Sequence, residues 1–366
     1  MPNPELQVSG EPNLPESTYL YFEKHGVNSD MATLGRVLFY DKKLSVNNAV
    51  SCGSCHKQEF AFADNVALNK GWDGQSLKRN SPSIQGIKGF FDRDSFLVIN
   101  GNWVFLPAAG IPRASNQVPS RLFWDARQNN VADMVLNPVL NHREMNMPDF
   151  ESLVKKLEGT RYYPALFTKV YGDKMISKER IAFALEAFLA CLNTVKGNKL
   201  TSDFSGGTPL SDPLAEQGRI LFHNKYNCAK CHDPSNSGDY GGNTFNAQVG
   251  LFNIGLDEVY SDRGVGAVSG NPKEDGVFKV PTLKNISVTA PYMHDGRFKD
   301  LGEVLDHYSH NIKNNQNLSP LFRNLDGTPR KLNISAAEKI ALITFLNTLK
   351  DPDFLSNEMY ADPFKN

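Results

Sequence analysis

The sequence predicts a mainly α-helical chain of two similar halves, with one small β-hairpin set into the first. Three observations carry that prediction. The pattern Cys-x-x-Cys-His occurs twice, as Cys52-Gly-Ser-Cys55-His56 and as Cys228-Ala-Lys-Cys231-His232. A second pattern precedes each copy, Gly35-Arg36-Val37-Leu38-Phe39 before one and Gly218-Arg219-Ile220-Leu221-Phe222 before the other. Each half then closes on an apolar helical run opened by a serine: Ser177 precedes IAFALEAFLACL, and Ser335 precedes IALITFLNTL with Glu338 three residues on as a capping box.

Between these landmarks the halves keep step. After each Cys-His motif comes a proline-led element, Pro82-Ser83-Ile84 and then Pro281-Thr282-Leu283. Next come Trp124-Asp125-Ala126-Arg127 and His294-Asp295-Gly296-Arg297. The first half alone holds an insertion in which Phe96-Leu97-Val98-Ile99 and Trp103-Val104-Phe105-Leu106 flank Asn100-Gly101, a hairpin signal. The join falls in the polar, glycine-rich stretch at 201–213, so the expected units are residues 1–200 and 201–350. The tail at 351–366 is left to pack back on the first unit.

The doubled motif has a chemical cause. Two thiols add across the two vinyl groups of one porphyrin, and the adjacent histidine is delivered to the iron. With five Cys and eight His in 366 residues, composition alone gives on the order of 0.001 such motifs per chain. Zinc sites and thioredoxin-type redox pairs also use CxxC, but neither needs a histidine directly after the second cysteine, twice. The expected architecture is therefore two cytochrome-c-like helical domains related by duplication, each with one covalently attached c-type haem.

Four of the five cysteines are consumed in this way, and Cys191 is expected to be a buried, inert thiol. Attachment of c-type haem is completed outside the cytoplasmic membrane, so a periplasmic or otherwise exported protein is expected. The opening MPNPELQVSGEPNLP has neither a charged start nor an apolar core, as in a mature form whose signal has been removed. No run of 18 apolar residues predicts a membrane span. A net charge of −1 offers no argument for nucleic acid or an anionic membrane surface.

Counting from the paired arginines separates the halves. Eleven residues after Arg127 is Pro138, and eleven after Arg297 is Tyr308. If these stand at equivalent points over the two irons, one iron faces a residue that cannot coordinate and the other a phenol that can. One haem is expected to be open and the other closed. Met293, His294, His307 and His310 are the competing ligands to Tyr308.

From about Leu34 to Leu349 the chain resembles the bacterial di-haem cytochrome c peroxidase family, which includes the methylamine-utilisation protein MauG. The matching segments are LGRVLFYD, SCGSCH, RNSPSI, LFWDAR, NPV…REM, NCAKCH, FKVPTLKN and APYMHDGRF. The resemblance implies a peroxidatic N-terminal haem, an electron-transfer C-terminal haem, a tryptophan between them and a calcium ion at the domain interface. It implies that Trp124 is the inter-haem tryptophan, Glu144 the catalytic glutamate over the open haem and Pro138 its neighbour in the distal pocket. Asn80 by its side-chain oxygen, with Thr289 and Pro291 by their backbone carbonyls, would hold the calcium, a hard cation suited to an oxygen-only set.

Three departures bear on function. Where typical peroxidases of the family carry a histidine that caps the resting peroxidatic iron, this chain has Trp72, and no histidine occurs between His56 and His142. Tyr308 replaces the usual methionine ligand of the C-terminal haem, as in MauG. Met134 replaces a glutamine usually found near Glu144. The leading expectation is an exported peroxidase reducing hydrogen peroxide to water, with electrons from a small cytochrome c or cupredoxin passed through the C-terminal haem. The alternative is a MauG-like oxidase that uses peroxide or oxygen to oxidise side chains of a protein substrate via high-valent haem; a plain electron carrier is the third reading. Family members are commonly dimers, so a homodimer is compatible with the resemblance.

Overall fold

The computed structural model describes residues 29–87, 96–99, 102–105, 121–192, 209–232 and 250–365. Its helices in chain order are α1 (Ser29–Tyr40), α2 (Cys52–Cys55), α3 (Val131–Leu140), α4 (Phe150–Glu158), α5 (Tyr163–Tyr171) and α6 (Lys178–Cys191). There follow α7 (Pro213–Ile220), α8 (Ala229–His232), α9 (Val265–Ser269), α10 (Leu301–Asp306), α11 (Ala336–Thr348) and α12 (Pro352–Ser356). Strand is scarce. Phe96–Ile99 (β1) pairs antiparallel with Asn102–Phe105 (β2), and Leu251–Phe252 (β3) with Phe278–Lys279 (β4). The turn at Asn100-Gly101, and Leu106, lie outside the described residues, as does the join at 201–208.

The repeated Gly-Arg pattern has a packing reason. Helices α1 and α6 press together so closely that a Cβ on Gly35 would fall 1.8 Å from the carbonyl oxygen of Ala184. The same contact recurs between α7 and α11, where a Cβ on Gly218 would fall 2.0 Å from the carbonyl oxygen of Ala341. In both places the obstacle is backbone, which cannot swing aside. Gly35→Ala is expected to cost about 1–3 kcal/mol or more through overpacking; an unchanged denaturant midpoint would show that the helices separate at little cost.

Each pair of helices organises a core. Leu34, Leu38, Phe39, Phe62 and Phe188 are buried together in the first, and Phe222, Leu342, Phe345 and Leu346 in the second. Ser177 caps α6 by accepting from the Arg180 amide, and Ser335 with Glu338 forms a complete capping box on α11, a feature worth about 1 kcal/mol. Cys191 is buried, its thiol donating to the Ala187 carbonyl oxygen at 3.2 Å.

After α11 the chain crosses back. Phe354 and Tyr360 are buried in the first core against Phe62. Arg36 Nε donates to the Ala361 carbonyl at 2.6 Å, and the Tyr40 hydroxyl to the Tyr360 carbonyl at 2.7 Å. Residues 351–365 thus strap one half to the other.

Candidate active site

Helix α2 presents the first motif. The Ser51 and Ser54 side chains form a capping box around it, and His56 closes it, its amide donating to the Cys52 carbonyl. Gly53 is required there, because a Cβ would fall 2.4 Å from the Tyr40 ring. His56 Nδ1 lies 2.9 Å from the Phe62 carbonyl oxygen. That contact fixes the Nδ1–H tautomer and leaves the Nε2 lone pair for a metal. Burial pushes the imidazole pKa down, so the ring is neutral. Cys52 and Cys55 are not disulfide-bonded, and burial pushes both thiols up to about 12.

The second motif repeats the arrangement on α8. His232 Nδ1 lies 3.3 Å from the Pro281 carbonyl oxygen, and burial pushes its pKa down to about 4. Cys228, Cys231 and His232 line an apolar cavity together with Tyr308, Phe322, Leu342 and Leu346. Tyr308 sits in a π-helical turn, His307–Asn311, directly after α10. Such turns displace one residue out of the ordinary helical register and recur at functional sites. The Tyr308 ring stacks on Phe322 at 5.7 Å, and burial raises its phenol pKa. Met293 and His294 line the same cavity; among the described residues His307 and His310 do not. His307 Nε2 instead lies 3.0 Å from the Ile254 carbonyl oxygen, and His310 is exposed.

Glu144 lies on the turn after α3, half-buried. Its Oε1 accepts from Asn141 Nδ2 at 2.6 Å. The loop at 69–72 joins its turn to the first motif: Asn69 Nδ2 donates to the Ser54 carbonyl at 3.3 Å, and the Trp72 amide to the Glu144 carbonyl. Burial lifts the Glu144 pKa above the ordinary carboxyl value, against the pull of the Arg127 guanidinium and the Asn141 hydrogen bond. Pro138 is within α3, and Met134 and Met145 are buried in the core beside that helix and turn.

Trp72 is fastened to this turn. Its backbone amide donates to the Glu144 carbonyl at 2.9 Å, and its indole N–H to the His142 carbonyl at 2.9 Å. Asn47 Nδ2 donates to the Trp72 carbonyl at 3.0 Å, and a Cβ on Gly71 would fall 1.8 Å from the Arg143 carbonyl oxygen. The partners Asn141 and Arg127 were not singled out for Glu144 from sequence. An asparagine three residues before the carboxylate is the signal that could have found the first.

Trp124 is buried with Leu256, Tyr260 and Phe278 and lines the cavity at the second motif. Its indole N–H donates to the Asn80 carbonyl at 2.9 Å, and its own carbonyl accepts from the Lys279 amide at 2.8 Å. Arg79 ties the halves, with Nη1 on Asp125 and Nε on Asp262, each at 2.6 Å. The structure brings Asn80, Thr289 and Pro291 to the wall of one cavity. Asn80 Nδ2 is committed to the Val66 and Ala67 carbonyls at 3.1 and 3.3 Å, so the amide turns its Oδ1 away from them.

The residues fit the group that the motifs imply. Two unbridged thiols and a neutral, oriented imidazole stand at each motif, and an apolar cavity adjoins the second. A family model described as di-haem cytochrome c peroxidase matches residues 29–205. The chain is 30% identical to the methylamine utilization protein MauG of Paracoccus denitrificans over 308 residues, 76% of this chain and 74% of that one. This chain belongs to the di-haem cytochrome c peroxidase and MauG family. It is also similar to the cytochrome c551 peroxidase of Nitrosomonas europaea, 28% identical over 76% of this chain and 72% of that one. Its fold matches a crystal structure of a MauG-like protein associated with microbial copper homeostasis, with a TM-score of 0.72, 25% identity and 97% of both chains covered. Membership in the di-haem family implies two c-type haems. Among the described residues no helix is long and apolar enough to cross a membrane.

Proposed function

We propose that this chain is an exported, periplasmic peroxidase that reduces hydrogen peroxide to water at an open N-terminal haem. Residues 1–200 and 201–350 would be the two haem domains, related by duplication. Cys52 and Cys55, and Cys228 and Cys231, would hold the haems by thioether bonds, with Nε2 of His56 and His232 on the irons. Tyr308 would be a further ligand holding the C-terminal haem. When bound, the two haems supply the iron centres and the electron storage. What this chain's own side chains do follows from their placement.

The observation that carries the reading is Glu144: a partly desolvated carboxyl beside the first motif, held by Asn141 and by the Trp72 loop. Its carboxylate would take the proton from the near oxygen of peroxide and return it to the far one, the leaving oxygen. Asn141 aims the carboxylate, and Arg127 keeps a cation within reach of it. Pro138, whose side chain offers no coordinating atom, would leave the N-terminal haem open to substrate. Trp124 would mediate electron transfer between the haems.

The Trp72 loop supports a site that needs no reductive activation. In place of a histidine it brings an indole whose N–H is already engaged by the His142 carbonyl. Stopped-flow mixing of peroxide with the all-ferric protein is expected to change the haem absorbance without added reductant. A reaction that waits for reduction of one haem contradicts this reading of Trp72.

Tyr308 favours the MauG-like alternative as a second reading. A phenolate stabilises oxidised iron, whereas a neutral thioether favours the reduced metal. Such a centre is a poor electron acceptor and suits retention of oxidising equivalents until a protein side chain is oxidised. Turnover with a small cytochrome c or cupredoxin as donor supports the peroxidase, while covalent change in a protein substrate supports the alternative.

Calcium would lie between Asn80 Oδ1 and the carbonyls of Thr289 and Pro291, completed by water. Dialysis against a chelator is expected to lower the thermal midpoint and added calcium to restore it, as for any ligand of the folded state. A midpoint indifferent to both removes calcium from the assignment.

A further inference from the structure

One polar cluster outside the two motif sites links the first motif's surroundings to the surface. Asp41 follows α1 and is buried, 4% exposed. Its Oδ1 accepts from the Lys43 amide at 2.8 Å and so caps the short turn that follows. Its Oδ2 accepts from two phenols, Tyr162 at 2.5 Å and Tyr163 at 2.9 Å. The two rings are 4.7 Å apart, centre to centre.

The two tyrosines differ in surroundings. Tyr163 is fully buried in the first core, against which Cys52 also packs. Tyr162 is half-buried, with the Lys43 ammonium 5.5 Å from its ring centre. A buried phenol needs one acceptor, and Asp41 already meets its capping role through Oδ1. The two phenols fill both lone pairs of Oδ2 and, in doing so, make one continuous hydrogen-bonded path from the core to the half-buried Tyr162.

We propose that Tyr163, Asp41 and Tyr162 form a proton-coupled relay that carries oxidising equivalents from the first haem site to the protein surface. The relay rests on the peroxidase reading above, in which peroxide is the oxidant. In its first step Tyr163 gives one electron to the oxidised haem site; its O–H bond breaks and the proton passes to Asp41 Oδ2, leaving a neutral phenoxyl radical. In the second, Tyr162 gives one electron to that radical. The Tyr162 proton passes to Asp41 as Asp41 returns the proton it held to the Tyr163 oxygen. One electron has then moved inward, Asp41 holds one proton, and the radical rests on Tyr162.

The carboxylate makes both steps feasible. Oxidising a buried phenol without an acceptor would leave a radical cation in a poorly solvated site, which is costly. Burial also blocks release of the Tyr163 proton to water. Asp41 removes both obstacles with a hydrogen bond that is already formed.

The test adds peroxide, without donor, to the all-ferric holoprotein and to its Tyr163→Phe and Tyr162→Phe variants. Each variant deletes one hydroxyl and keeps the ring, so folding is checked by circular dichroism and haem content. Haem absorbance, electron paramagnetic resonance of freeze-quenched samples and peptide mapping of a nitroso spin-trap adduct are read together. The expected result is a tyrosyl radical with the adduct on Tyr162 in the parent protein. Both fall to background in Tyr163→Phe, and in Tyr162→Phe the radical persists without an adduct at position 162. A haem that reacts with peroxide while no tyrosyl radical forms, or a radical and adduct unchanged in Tyr163→Phe, overturns the relay alone. A haem that does not react with peroxide in the parent protein overturns the peroxidase reading and the relay with it.

Discussion

Glu144→Gln is expected to lower peroxide turnover by about 10²–10⁴-fold, the usual contribution of a positioned general acid–base, while both haems stay attached. Glutamine keeps the shape and can still meet Asn141, so a loss of activity reports the proton and not the packing. Glu144 also predicts a pH profile. Below its pKa the carboxyl is protonated and cannot take the proton of peroxide, so kcat/KM falls on the acid side. Because burial raises that pKa, the fall should begin at higher pH than for an ordinary glutamate. Undiminished turnover in the variant, or an acid limb that survives the substitution, refutes the role.

Tyr308→Phe is expected to have the largest effect on the second haem. Its low-spin electron paramagnetic resonance signal should disappear as the phenol oxygen is lost. Its reduction potential should rise by roughly 0.1 V or more, within the roughly 0.8 V range that axial ligands command. Phenylalanine keeps the stacking on Phe322 at little cost in packing. An unaltered low-spin signal rules tyrosine out and moves the assignment to Met293 or His294, which line the same cavity.

Features set by short stretches of chain were legible in the sequence. The Cys-His motifs are contiguous and their chemistry demands the spacing. The Ser335–Glu338 capping box spans a single helical turn, and it stands where the pattern placed it. The glycines of the two Gly-Arg patterns were legible as a repeat, but their reason was not. Only the crossing of α1 with α6, and of α7 with α11, shows the backbone oxygen that a side chain would strike.

Contacts between distant segments left no local trace. Trp72 could be read as a missing histidine, yet its attachment to the Glu144 turn joins residues some seventy positions apart. Arg79 looks like an ordinary residue before Asn80, and its bridge from Asp125 to Asp262 appears only in the fold. The pairing of Tyr162 and Tyr163 with Asp41 spans a wider gap than that of Trp72, more than a hundred positions of chain. Aromatic pairs on helices usually serve a core, and nothing in their spacing marked a shared acceptor.

The strap at 351–365 bears on how the protein is assembled. Phe354 and Tyr360 fill space around Phe62, whose carbonyl oxygen faces His56 Nδ1. The first half therefore keeps an apolar gap until chain made long afterwards arrives to close it. The order of maturation is therefore a choice between two routes: the first porphyrin is accommodated in a scaffold whose last wall is still missing, or it waits for that wall to be built.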